Sequence, residues 1–148
     1  QKVESQVDDA RSLGAEIVTG GGRVRPEGLS DRFYSPTLLR GMTPAMLICR
    51  EETFGPVAPV ACFSDEAEVI EQANASEFGL AAYFFTRDAS RLMRVAEALE
   101  YGIVGANDGK PSTAQAPFGG VKHSGFGREG GRYAMDEYCE LKYVSWQL

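Results

Sequence analysis

Apolar residues at the start of the chain follow the spacing of an amphipathic helix. They recur every three or four residues, on one helical face: Val3, Val7, Ala10 and Leu13. Gly14 is positioned to end that helix. Residues 16–19 are then expected to form a short strand that the glycines at 20–22 close. Residues 33–39 are predicted to be another extended segment, in which Pro36 marks an edge or a bulge.

Strand-like and helix-like patterns alternate between residues 57 and 107. Three apolar segments are expected to be strands: residues 57–63, 80–86 and 103–107. The middle one is almost wholly apolar, which predicts a strand buried on both faces. Asp65, with Glu68 three residues on, has the spacing of a capping box, and Asp88 is a good N-cap for the following helix. The order predicts an α/β fold with parallel crossovers.

The pattern changes after Asn107. Residues 108–131 are rich in glycine and have neither helical nor strand periodicity. A loop of that length inside a compact domain is more often functional or interface-forming than not. A short helix is expected around residues 132–138, and a final strand at residues 141–146.

Length and charge exclude several classes of function. The 148 residues suit one domain, and 43% hydrophobic and 24% charged residues are ordinary for a globular protein. A net charge of −6 argues against a nucleic-acid partner, because phosphate binding relies on clustered Lys and Arg. The apolar runs are far shorter than the ~20 residues of a membrane span. Gln1 falls at the start of an apparent helix without a signal peptide, so we expect an internal boundary there.

The cysteines and the histidine give little basis for disulfide or metal chemistry. Three widely spaced cysteines are no disulfide framework and fit a reducing cytoplasm. Cys62 is expected to pack within a strand, whereas Arg50 beside Cys49 would favour the thiolate there. His123, the single histidine, is expected to be a loop residue, and no metal-binding spacing surrounds it.

The stretch Glu51-Glu52-Thr53-Phe54-Gly55-Pro56 sits at a loop-to-strand junction. A carboxylate there can accept two hydrogen bonds from a ribose diol, and an aromatic two positions on would lie beside a nicotinamide ring. The Gly-Pro pair would hold both side chains in register through a tight turn. A solvated Glu pair before a strand is the simpler alternative.

Two glycine-rich motifs follow in the long loop. Residues 117–122 read Pro-Phe-Gly-Gly-Val-Lys, and glycines there let a loop lie close against other backbone. Residues 125–130 formally match the GxGxxG dinucleotide fingerprint. That fingerprint must follow an apolar strand and open a long helix, whereas here a Gly/Pro loop precedes it. We therefore interpret the match as a coincidence.

In this order and spacing, the motifs at 51–57, 117–122 and 124–129 resemble the C-terminal part of the NAD(P)-dependent aldehyde dehydrogenases. The resemblance covers essentially the whole chain, and residues 101–105 and 136–144 look most like succinate-semialdehyde dehydrogenases. It implies that Glu52 binds the cofactor ribose and that Phe54 neighbours the nicotinamide. It likewise implies that Phe118 lines the aldehyde tunnel and that Ser112 bonds a distal carboxylate of the substrate. A loop serine that stabilises its own turn is the alternative for Ser112.

The resemblance also implies a three-layer α/β catalytic domain with a parallel sheet, to which residues 1–138 contribute the C-terminal part. Residues 139–148 would be an oligomerisation tail, so a homodimer or homotetramer is expected. The family mechanism implies thiolate attack on an aldehyde, hydride transfer to NAD or NADP, and thioester hydrolysis. The nucleophile, the general base and the nucleotide-binding half have no counterpart in this chain. A stand-alone scaffold or assembly module of the same fold is the alternative from a different class.

The chain by itself is expected to show no dehydrogenase activity and negligible cofactor affinity, because the site would be divided between it and a missing part. Calorimetric titration with NAD+ and NADP+ measures this directly. Binding tighter than about 100 μM, roughly −5.5 kcal/mol, would contradict the expectation.

Overall fold

Two units, Gln1–Ser64 and Asp65–Leu148, make up the computed structural model, which describes all 148 residues. The first unit contains one helix, five strands and a short 3-10 helix: α1 (Lys2–Ser12), β1 (Glu16–Thr19), β2 (Arg23–Val24), β3 (Phe33–Tyr34), β4 (Thr37–Arg40), the 3-10 helix Leu47–Cys49 and β5 (Val57–Val60). The second contains two helices, four strands and another 3-10 helix: α2 (Glu66–Asn74), β6 (Phe78–Gly79), β7 (Ala81–Phe84), α3 (Ala89–Ala98), β8 (Ile103–Ala106), β9 (Val121–Lys122) and the 3-10 helix Tyr133–Tyr138.

The main sheet of the first unit is mixed. Its order is β1-β4-β5, with β1 antiparallel and β5 parallel to the central strand β4. The extended segment expected at residues 33–39 is two strands, because β3 pairs with β2 in a separate antiparallel ribbon. Pro36 lies between them, where its missing N–H removes no ladder bond. Strand β5 ends at Val60, three residues earlier than predicted.

The core of the first unit forms where α1 meets the segment that runs from β4 to the 3-10 helix. One cluster of buried side chains joins these elements: Val7, Ala10, Ala15, Leu39, Met42, Met46 and Ile48. The predicted helical face is confirmed at Val7 and Ala10, but Leu13 is 49% exposed because it follows the last helical residue. Gly14 has φ +96°, a left-handed conformation that suits glycine and ends the helix as predicted.

Strand and helix alternate in the second unit as predicted. Strand β7 pairs in parallel with β8, and α3 is the crossover between them. Both helices begin at the predicted caps, since the Asp65 and Asp88 carboxylates accept hydrogen bonds from the backbone N–H groups of Glu68 and Arg91. The helix starts therefore coincide with caps that can be read from the local sequence.

The prediction that residues 80–86 form one strand buried on both faces is wrong for this chain. Only Ala81–Phe84 of this segment form a strand, β7, and Leu80 separates it from β6. No side chain of β7 is buried, and Tyr83 is 52% exposed. Strand β7 belongs to a two-stranded sheet, which is too small to cover both faces of an apolar strand.

The long loop at residues 108–131 is partly ordered by pairing with β6 and by pairing within the loop itself. Strand β9 within it pairs with β6, and Phe118 forms an isolated antiparallel bridge with Glu129. The helix expected around residues 132–138 is present as the 3-10 helix Tyr133–Tyr138.

The strand predicted at residues 141–146 does not form in this structure. Residues 139–148 have no strand pairing and are exposed throughout. A strand is defined by hydrogen bonds to a neighbour, and no other segment of the chain supplies one here.

Gly102 is expected to tolerate no side chain. A Cβ added there would overlap the carbonyl oxygen of Gly119, which is backbone and cannot move cheaply. Gly102→Ala should therefore destabilise the fold by about 1–3 kcal/mol, the usual cost of overpacking. Gly109→Ala is the matched control, because a Cβ at Gly109 meets nothing within 4 Å. Equal urea midpoints for the two variants would contradict this assignment.

Candidate functional site

The loop at residues 51–56 connects the 3-10 helix Leu47–Cys49 to β5 and is fixed at both ends. Glu51 N–H donates to the Leu47 carbonyl at 2.8 Å, and Thr37 N–H donates to the Pro56 carbonyl at 2.8 Å. Within the turn, Val57 N–H donates to the Gly55 carbonyl at 2.8 Å. The backbone of the predicted cofactor motif is thus anchored on β4 and on the preceding helical turn.

Helix α1 supports the same segment from its buried face. The Thr53 hydroxyl donates to Gln6 Oε1 at 2.8 Å, and Gln6 Nε2 donates to the Glu52 carbonyl at 3.4 Å. Gly55 lies against Val3, so closely that an added Cβ would approach Val3 Cγ2 to 2.6 Å. Leu47 N–H donates to Asp9 Oδ2 at 2.7 Å.

Sequence reasoning missed Gln6 and Asp9. The available signal was the position of Gln6 on the apolar face of α1, three residues after Val3 and four before Ala10. A polar side chain on such a face is buried with the face and needs a partner, which here is the loop.

The side chains of Glu52 and Phe54 point away from this support. Phe54 is 92% exposed, and the Glu52 carboxylate is exposed and forms no ion pair. The neighbouring Glu51 is the residue that approaches a cation, with Oε2 lying 3.9 Å from Lys2 Nζ. A free carboxylate and an uncovered aromatic ring two residues apart fit a ribose diol and a flat heterocycle.

Phe54, Gly55 and Pro56 also line a groove of about 360 Å³ in the first unit. Glu4 and Arg23 line the same groove, and the Arg23 guanidinium forms a paired contact with Glu4 in which Nη2 donates to Oε2 at 2.6 Å. Hydrogen bonding to Arg23 lowers the pKa of Glu4 to about 2. The ion pair links α1 to β2.

Two predictions about the cysteines are wrong. Burial around the Cys49 sulfur raises the pKa of its thiol, and the opposing effect of Arg50 is smaller, so the thiolate is disfavoured. Cys62 lies beyond the end of β5 and is exposed rather than packed. All three cysteines are unpaired, and none has the features of an activated nucleophile.

Ser112 lies in an exposed part of the second unit. Asp108 Oδ1 accepts from Lys110 N–H at 2.8 Å before it, and Ala116 N–H donates to the Thr113 carbonyl at 3.2 Å after it. These two turns shape the loop, but the Ser112 hydroxyl forms no hydrogen bond within the chain. The geometry therefore does not favour a serine that stabilises its own turn.

Phe118 begins the structured end of the same loop. Its N–H and carbonyl each pair with Glu129 at 2.7 Å, and its side chain is 39% exposed. Arg128 Nη1 donates to the Gly120 and Gly127 carbonyls at 2.8 and 2.7 Å, which holds the glycine-rich segments of the loop together.

Residues 125–130 lead only into the 3-10 helix Tyr133–Tyr138, so they belong to no βαβ unit. The residues that match GxGxxG are therefore part of the framework of this loop.

The structure meets the requirements of neither a metal site nor a membrane-spanning helix. No group of three or more His, Cys, Asp or Glu side chains is arranged to hold a metal ion. None of the helices is both long and apolar enough to cross a membrane. His123 is exposed in a loop, 3.7 Å from Glu77, as its position in the sequence predicts.

The chain belongs to the aldehyde dehydrogenase family, whose pattern it matches over residues 1–144. It is 55% identical over 146 residues to the mitochondrial succinate-semialdehyde dehydrogenase of Hylobates lar, and 52% identical over 143 residues to the glutarate-semialdehyde dehydrogenase of Pseudomonas aeruginosa. These matches cover 99% and 97% of the chain but only 27% and 29% of the relatives. A solved NADP-dependent enzyme of E. coli superposes with a TM-score of 0.90 at 51% identity, over 97% of this chain and 29% of that one.

The α/β class and the suspected family are thereby confirmed. Glu52 and Phe54 share one loop of the first unit, and Ser112 and Phe118 share one loop of the second. The roles of these four residues stay predictions.

Proposed function

We propose that this chain is part of a larger NAD(P)-dependent enzyme that oxidises an ω-carboxylated aldehyde, such as succinate semialdehyde, to the acid. The observation that carries the proposal is the likeness of almost the whole chain to a succinate-semialdehyde dehydrogenase. Since the chain spans about a quarter of that relative's length, the nucleophile, the general base and the adenine and phosphate site are expected elsewhere in the whole protein.

The proposed contribution to the cofactor site is the loop at residues 51–56. Glu52 would accept hydrogen bonds from the nicotinamide ribose, and Phe54 would lie beside the ring that accepts the hydride. The exposure of both side chains supports this, because burial of the Phe54 ring against a ligand would contribute about 1.5–3 kcal/mol. Whether NAD or NADP is preferred depends on residues facing the 2′-position, which this chain does not supply.

The proposed contribution to the substrate site is the loop that carries Ser112 and Phe118. A free hydroxyl suits a distal carboxylate, and Phe118 would form part of the tunnel wall. Glutarate semialdehyde is the nearest competitor, because a relative at 52% identity is named for it. Lys110 and Pro111 beside Ser112 would set the length and polarity of the pocket. Equal oxidation of charged and uncharged aldehydes would indicate an enzyme for uncharged aldehydes, and oxidation of neither would indicate a non-catalytic scaffold of the same fold.

Assembly into a homodimer or homotetramer is proposed for the whole enzyme. The tail at residues 139–148 carries apolar side chains that are exposed in this chain: Leu141, Tyr143, Val144, Trp146 and Leu148. Such an unpaired segment is suited to pairing with another subunit. The unpaired cysteines support a reducing compartment such as the cytoplasm.

Glu52→Gln in the complete enzyme should slow turnover at least ten-fold while leaving the fold intact. The substitution removes a charge-assisted hydrogen bond to the ribose, worth about 1.5–3 kcal/mol. Steady-state kinetics with varied NAD(P)+ measures the effect, and Glu51→Gln is the matched control because that side chain approaches Lys2 instead. Unchanged constants for Glu52→Gln would refute the ribose assignment.

The complete enzyme should prefer aldehydes with a terminal carboxylate to uncharged aldehydes of equal length. We expect a higher kcat/KM for succinate semialdehyde than for butanal. Ser112→Ala should decrease the ratio of these two kcat/KM values, because it removes a hydrogen-bond donor to the substrate carboxylate. Ser90→Ala, an exposed serine of α3, should leave the ratio unchanged. Equal kcat/KM values for the two aldehydes in the wild type would end the substrate proposal.

A further inference from the structure

Gln6 is among the most deeply buried side chains of the chain, at 1% exposure, although its neighbours on the helical face are apolar. We propose that Gln6 is a positioning residue that holds the Glu52–Phe54 loop in the conformation that binds the cofactor. This inference rests on the proposed role of Glu52 and extends the site to helix α1.

Both polar atoms of the Gln6 amide are directed at the loop. Its Oε1 accepts from the Thr53 hydroxyl at 2.8 Å, a normal hydrogen bond, and its Nε2 donates to the Glu52 carbonyl at 3.4 Å, a longer and weaker one. The amide thus holds two successive residues by groups other than the Glu52 carboxylate. That carboxylate stays free to meet a ligand.

A packing role alone does not explain a glutamine at this position. Burying an amide is unfavourable unless its polar atoms are hydrogen-bonded, so an apolar side chain would fill the same space at lower cost. No buried side-chain nitrogen or oxygen in the chain lacks a partner, and for Gln6 the partners are in the loop. The amide therefore specifies the loop conformation as well as filling the core.

The neighbouring contacts hold the ends of the segment but not its centre. Asp9 fixes Leu47 N–H, before the loop, and Val3 packs against Gly55, after Phe54. Between them, Gln6 is the side chain of α1 that bonds Glu52 and Thr53. Losing its amide would free the centre of the loop while both ends stay attached.

Loosening the loop would lower the fraction of molecules in the binding conformation, and the apparent affinity falls by that fraction. In the complete enzyme, Gln6→Met, which keeps the volume but not the hydrogen bonds, should weaken NAD(P)+ binding about three- to ten-fold, the net worth of one or two hydrogen bonds. Thr53→Val should do the same, and Thr53→Ser, which keeps the hydroxyl, should bind as the wild type does. The double variant Gln6→Met/Thr53→Val should bind no more weakly than Gln6→Met alone, because both substitutions remove the same hydrogen bond between Gln6 and Thr53.

The test measures cofactor dissociation constants by fluorescence titration without aldehyde, together with amide hydrogen exchange at residues 51–56 in the cofactor-free enzyme. Exchange should accelerate in Gln6→Met and Thr53→Val. Val95→Ala is the control, because it removes a buried side chain from α3 in the second unit and touches neither α1 nor the loop. It should lower stability and leave cofactor affinity unchanged.

Two results would overturn the inference. One is unchanged cofactor affinity and unchanged loop exchange in both Gln6→Met and Thr53→Val. If Gln6→Met fails to fold, the comparison of Thr53→Val with Thr53→Ser decides instead. The other is a loss of affinity in Val95→Ala as large as in Gln6→Met at equal loss of stability. The proposed function fails separately, if Glu52→Gln binds the cofactor normally; loop exchange then still reports whether Gln6 holds the loop.

Discussion

Burial of the apolar face of α1 is the interaction on which the position of the 51–56 loop depends. The cluster that includes Val7, Leu39 and Met46 joins α1 to the main sheet and to the segment before the loop. Each such side chain contributes about 1.5–3 kcal/mol by leaving water. With α1 fixed in this way, Gln6 reaches the loop at Glu52 and Thr53, and Asp9 reaches Leu47 just before it. The loop then needs no regular secondary structure of its own.

Local signals predicted much of the fold because they act within a few residues. The strand Glu16–Thr19 has the predicted bounds, and the carboxylates of Asp65 and Asp88 cap their helices as expected. Predictions that needed distant partners were less successful. Burial of residues 80–86 depends on what covers the sheet, and strand formation at residues 141–146 depends on a neighbour that the chain does not provide.

The residues of the candidate site show the same difference between local signals and distant partners. Glu52, Phe54, Ser112 and Phe118 were identified by motif, and all four lie in loops with exposed or half-exposed side chains. Gln6 was missed because its partners lie 46 and 47 residues away in sequence, and no local pattern indicates which loop it meets. The errors at Cys49 and Cys62 have the same origin, since burial around a sulfur atom is a tertiary property.

The central claim is that α1 presents the Glu52 carboxylate, through the 51–56 loop, to the ribose of a nicotinamide cofactor. A crystal structure of the complete enzyme with NAD(P)+ bound tests it most directly. The account predicts both Glu52 carboxylate oxygens about 2.5–3.0 Å from the ribose hydroxyls, with the Gln6–Thr53 hydrogen bond intact. A bound cofactor whose ribose lies beyond hydrogen-bonding distance of Glu52 would contradict it.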